Sequence, residues 1–115
     1  MMMYEHFITV GLFDRDAHEQ LISTDSAKLV IENLILNAGM CCTMFTEGVF
    51  GIYRHEDGST VREPSIRVEI ADQPKEEVVK VVRALQTALN QETIMWKVTE
   101  SHIAFFGDSS TIDEL

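Results

Sequence analysis

The densest set of chemically capable side chains in this chain is Arg62, Glu63, Ser65, Arg67 and Glu69. A guanidinium presents a bidentate fork to a carboxylate or phosphate, and nearby carboxylates hold that fork in place. The run therefore reads as a site for a small anionic ligand, nucleotide-derived ligands included. It reads equally as cross-strand ion pairs on a half-exposed sheet. Gln91-Glu92 adds an amide and a carboxylate where a helix gives way to a strand, either reaching toward the Arg62 end of the hairpin or only capping the helix or pairing with an Arg. With Tyr53 from the preceding strand, the candidate ligand set is Tyr53, Arg62, Glu63, Ser65, Arg67, Gln91 and Glu92.

No catalytic set accompanies these residues. His6 falls on a core-facing strand position, His18 and His55 in connections, and His102 near a break in the last strand. None stands at a telling distance from a nucleophile, and Ser65 lacks both a base and the Gly-x-Ser-x-Gly turn. No pair of His, Cys, Asp or Glu has diagnostic metal-ligand spacing, so neither metal nor cofactor is expected. Gly48 and Gly51 interrupt a strand pattern and lead into no helix, which is the wrong context for a phosphate-cradling loop. Cys41 and Cys42 are adjacent and cannot readily satisfy disulfide geometry with each other, which suits a reducing compartment. Met40 and Met44 beside them read as core packing or as an adaptable contact surface.

Nine Lys and Arg against 19 Asp and Glu give a formal net charge of -10. That balance argues against direct nucleic-acid binding, which draws its affinity from clustered cations. It suits solubility, a basic partner, or an acidic surface that imitates nucleic acid. The 115 residues are 45% hydrophobic, enough for one core without staples. Met1-Met2-Met3 precedes no basic or apolar leader, and no apolar run approaches membrane-span length, so the expectation is a cytoplasmic protein.

The elements that must position these residues follow from periodicity. Residues 4–13 alternate, with Ile8, Val10 and Leu12 on one face and Phe7, Thr9, Gly11 and Phe13 on the other. Residues 14–22 are a polar connection. A helix is predicted over 25–38, capped by Ser23, Thr24 or Asp25, with Leu29, Ile31, Leu34, Ile35 and Leu36 as its apolar face and Gly39 as its stop. A strand over 43–54, bent at Gly48 and Gly51, turns at Asp57-Gly58 into a strand over 60–71, with pairing near Pro64 interrupted or at an edge. Asp72, Pro74 and Glu76-Glu77 open a second helix reaching residue 90, with Val78, Val82, Leu85 and Leu89 on one face and Glu76 paired with Lys80. A last strand starts at residue 93, with Ile94, Trp96 and Val98 on one face, and resumes through 103–106. Residues 1–107 thus form one domain, and the acidic tail 108–115 is expected to fray.

Strand, helix, strand, strand, helix, strand is an α+β, ferredoxin-like βαββαβ arrangement. Right-handed crossovers give an antiparallel four-stranded sheet of order 4-1-3-2 with both helices on one face. The opposite face carries Phe7, Thr9 and Phe13, which ask for cover by a second copy of the chain or by a ligand.

Gly51-Ile52-Tyr53-Arg54, Asp57-Gly58, Arg62-Glu63-Pro64-Ser65 and Asn90-Gln91-Glu92-Thr93 together resemble an uncharacterised family of small bacterial and phage-borne proteins. The resemblance spans residues 4–106. Its sharpest pieces are Arg-Glu-Pro-Ser and Gln-Glu-Thr, the latter more often Gln-Glu-Ser in the family, and Asn90 stands where relatives often carry glycine. It implies a ferredoxin-like fold and no assigned chemistry. Three functions stay open: a non-catalytic, homo-oligomeric binding protein for a small anionic ligand or a host protein, with phage counter-defence as a special case; a small dimeric α+β barrel enzyme using Arg62, Glu63, Glu92 and His102; and an acidic nucleic-acid mimic.

Overall fold

The computed structural model describes residues 2–54 and 57–107; His55 and the tail 108–115 lie outside the described residues. The elements are β1 (Met2–Gly11), α1 (Thr24–Asn37), β2 (Thr43–Phe45), β3 (Phe50–Arg54), β4 (Thr60–Ala71), α2 (Lys75–Ala88) and β5 (Met95–His102). β1 lies between β4 and β5, antiparallel to both, with Ile8 opposite Val68 on one side and Trp96 on the other. Alternation sends Ile8, Val10, Ile66, Val68 and Ile70 to one face. There they join Ala27, Ile31 and Ile35 of α1 and Val78, Val81 and Leu85 of α2 in a single core.

The antiparallel α+β sheet under two helices is present, but among the described residues it has five strands where the expected 4-1-3-2 sheet has four. Five strands form the sheet, in the order β2-β4-β1-β5, with β3 also paired to β4. The predicted strand over 43–54 is two strands. Gly48 takes a left-handed φ of 70° between them, a conformation that turns the chain out of a ladder. β2 then pairs with Arg67–Glu69 of β4, and β3 separately with Thr60–Pro64. Pro64, which cannot donate, sits opposite Phe50, and its carbonyl accepts the Leu12 N–H at 2.9 Å.

Several local expectations also change. Ser23 caps α1 by accepting the Ser26 N–H, whereas Leu29 and Leu36 are exposed because 100° per residue carries them away from the Ala27–Ile31–Ile35 line. Asp72 caps nothing: it adopts a φ of 59° and donates its N–H to the Tyr4 carbonyl, leaving Pro74 as the N-cap of α2. Lys80 pairs with Glu77 rather than Glu76, at 3.2 Å. β5 begins at Met95, two residues later than expected, and the described residues after His102 form no strand. No helix among the described residues is long and apolar enough to cross a membrane.

His6 is a polar residue buried with the core. It is fully buried; its Nδ1 accepts from Trp96 Nε1 at 3.0 Å, and its Nε2 lies 2.7 Å from the Gln73 carbonyl. An indole can only donate, so the proton must sit on Nε2, and both ring nitrogens are then satisfied. Trp96→Phe keeps most of the apolar contact and strands Nδ1 without a donor. A loss of about 1–3 kcal/mol in denaturant unfolding is expected, with the fold retained.

Candidate functional site

The predicted site residues divide among three places. Period-two alternation puts Arg62 and Glu63, neighbours in sequence, on opposite faces of β4. Arg62 stacks its guanidinium 3.9 Å above the Phe50 ring and lines a groove of about 400 Å³ with Thr24, Thr46 and Ser65. Ser65 is buried, and its hydroxyl donates to the Glu63 carbonyl at 3.2 Å. Arg67 belongs to the open face of the sheet, where it pairs with Glu69 at 2.9 Å and lies 5.3 Å from the Phe7 ring centroid and 5.8 Å from that of Phe45. Lys97 approaches Phe7 as well, at 4.8 Å, so this aromatic stands among cations.

The remaining four, Tyr53, Glu63, Gln91 and Glu92, come together. They line a cavity of about 320 Å³ where the end of β1, the β3–β4 hairpin and the α2–β5 connection meet. Phe13, Val61 and Met95 supply its apolar wall, Thr9 lines it from β1, and Asp14, Arg15 and His18 close it from the loop that follows β1.

Glu63 is held by backbone. Its Oε2 accepts the Phe13 N–H at 2.9 Å, and its carboxylate lies against Gly11, where any Cβ would collide with it. Burial pushes the Glu63 carboxyl above its ordinary range, and the Phe13 N–H offsets part of that rise. Tyr53 is raised by burial and, secondarily, by the negative charge of Glu63. The two side chains therefore sense each other across the cavity.

The loop wall is fastened to the α2–β5 connection by two adjacent amides. Asn90, at a φ of 46°, donates from Nδ2 to Asp14 Oδ1 at 2.7 Å and Asp16 Oδ2 at 3.0 Å, and its carbonyl accepts the Arg15 N–H at 2.9 Å. Gln91 Nε2 donates to the carbonyls of Phe13 and Leu89 at 2.8 and 3.2 Å. Gln91 is thus a buried strut as much as a lining residue. The Asn90 bond, followed by the Ala17 and Asp16 N–H groups and Arg15, holds the Asp14 carboxyl below its usual range. Phe13, Asp14, Arg15, His18 and Asn90 were not among the predicted ligand residues, although Phe13 was placed at an oligomer interface together with Phe7 and Thr9.

Electrostatically the cavity is acidic. Among the described residues, three carboxylates, Asp14, Glu63 and Glu92, line it with one guanidinium, Arg15, while Arg62 and Arg67 lie outside it. Such a site concentrates small cations and can place aromatic faces against them.

No family model matches the chain, and no curated protein matches it significantly. Solved structures do. A phage SAM lyase in complex with S-methyl-5'-thioadenosine is 22% identical, with a TM-score of 0.59 over 84% of this chain and 80% of that one. CutA from Xylella fastidiosa is 16% identical, with a TM-score of 0.61 over 89% and 86% of the two chains. CPII, a nitrogen regulatory PII-like protein from Thiomonas intermedia K12 bound to ADP, AMP and bicarbonate, is 15% identical, with a TM-score of 0.56 over 88% and 91%. At these identities the likeness is one of fold.

Proposed function

We propose that the protein binds a sulfonium nucleoside, S-adenosylmethionine, in the Glu63 cavity and promotes loss of its thioether, releasing S-methyl-5'-thioadenosine. The observation that carries this reading is the convergence of Asp14, Glu63 and Glu92 with Tyr53 and Phe13 in one cavity. The ligand brings a sulfonium and an ammonium, and the cavity offers carboxylates and aromatic faces to both. Its volume of about 320 Å³ stands at the lower end of small-molecule sites. An anionic ligand would meet three carboxylates there, and the arginines that suggested an anion lie elsewhere. The phage SAM lyase, of the same fold and holding S-methyl-5'-thioadenosine, adds support.

The chemistry balances within the ligand. The bond between sulfur and the amino-acid chain breaks, and its electron pair stays on sulfur as a neutral thioether. The carbon left behind either closes on the ligand's own carboxylate, giving a lactone, or loses the adjacent proton to a cavity carboxylate, giving an alkene. Neither route consumes a co-reactant, and what the protein contributes is a held conformation. Depleting the methyl donor is also the form that a counter-defence role would take here.

We also place the working unit as a homo-oligomer. Phe7 and Thr9 lie on the open sheet face with Phe45, which is 45% exposed, and the β3–β4 hairpin bears exposed Phe50, Ile52 and Tyr53. Apolar surface so arranged is ordinarily covered.

The test is incubation of purified protein with S-adenosylmethionine against a protein-free control, separating nucleoside and four-carbon products by chromatography. Protein-dependent S-methyl-5'-thioadenosine is expected. Binding without turnover would reduce the protein to a non-catalytic holder of the ligand, and binding of ADP or AMP in place of the sulfonium would return the site to anions. Native mass spectrometry of the same sample reports the subunit number.

A further inference from the structure

We infer that Arg15 anchors the ligand's carboxylate, so that this cavity selects sulfonium nucleosides carrying an amino-acid group over those lacking the acid. The inference rests on the reading above and adds a specificity residue to it. Arg15 is the one guanidinium among the described residues of the cavity wall. Neither ion pair between described residues involves it, in a chain where carboxylates outnumber cations 19 to 9. Asp14, the nearest carboxylate in sequence, is occupied: Oδ1 takes the Asn90 amide, and Oδ2 takes the N–H groups of Asp16 and Ala17 at 3.0 Å each. The backbone beneath Arg15 is fixed by its N–H to the Asn90 carbonyl. A mounted fork that makes no close ion pair, beside an Asp14 carboxylate whose oxygens already take other donors, has what bidentate capture of a carboxylate requires.

The charges also match by kind. The cavity presents three carboxylates and one guanidinium, and S-adenosylmethionine presents two cations and one carboxylate. Removing the ligand's carboxylate gives a doubly positive molecule that an acidic cavity without an anchor would hold more tightly, not less. The anchor and the general field of the site therefore predict opposite orders of affinity.

The experiment is calorimetric titration of the intact protein, and of Arg15→Ala, with S-adenosylmethionine and with its decarboxylated form. The native protein is expected to favour S-adenosylmethionine about tenfold, the scale of one charge-assisted contact. In Arg15→Ala the preference should be lost: S-adenosylmethionine weakens about tenfold, and the decarboxylated ligand either holds, leaving the two equal, or tightens, reversing the order. Arg15 is exposed on a loop, so the variant is expected to fold. Equal weakening toward both ligands would make Arg15 merely structural and overturn the inference. So would a native protein that prefers the decarboxylated form, although the sulfonium reading would then stand. If neither sulfonium binds the native protein, the function itself falls and the anchor with it.

Discussion

Glu63→Gln is expected to lower release of S-methyl-5'-thioadenosine by about a hundredfold to a thousandfold, the usual cost of removing one preorganised electrostatic group from a reacting centre. The same substitution should leave the fold as stable as before, or more so. Burial holds the Glu63 carboxyl above its ordinary pKa of 4.5, which means that the folded chain disfavours the charge. Its stabilising, protonated form is fully present below the unfolded pKa and is lost as pH rises through the folded value. Glutamine is neutral at every pH and still offers an oxygen to the Phe13 N–H. Binding of a cation runs the other way, because it needs the carboxylate and fades as pH falls through the same raised pKa. The native protein should therefore lose sulfonium affinity in mild acid, at a higher pH than an exposed glutamate would give. Titration calorimetry across pH, beside chemical denaturation, separates the two trends. A Glu63→Gln protein that keeps full turnover would remove Glu63 from the site.

Part of this site was legible in the chain and part was not, for reasons that trace to particular residues. Tyr53, Glu63, Gln91 and Glu92 were all picked out, and they meet in one cavity. Arg62 and Arg67 were grouped with Glu63 because they are close in sequence. Arg62 is nonetheless on the other face of β4, and Arg67 lies four residues, roughly 13 Å, along the strand. Proximity in a strand is a poor guide to proximity in a site. Asp14, Arg15 and His18 were missed because an irregular connection has no period from which to read a facing direction. Nothing in the chain tells that Asn90, 76 positions away, reaches Asp14. The two-strand break at Gly48 was half legible: the glycine marked a bend, but its left-handed φ decides whether a strand bends or ends.

Gly11 carries a sequence signal of its own. An isolated glycine in a strand pattern marks a close approach, and here the group that approaches is the Glu63 carboxylate. Gly11→Ala is accordingly expected to lower turnover by as much as Glu63→Gln. The added Cβ meets the far end of a flexible side chain, which can swing away, so backbone rearrangement is not required. The stability cost should be about 1–2 kcal/mol, from a Phe13 N–H that loses its acceptor. Size and charge are then separable by a double-mutant cycle. If glycine matters because it leaves room for this carboxylate, the Gly11→Ala/Glu63→Gln protein should be no less active than either single variant. Additive losses would mean that Gly11 serves the site by a route other than Glu63, such as direct approach of the ligand to the β1 backbone. Non-additive losses, with stability following the Phe13 contact alone, would tie the placement of one charge to the absence of one methyl group on the neighbouring strand.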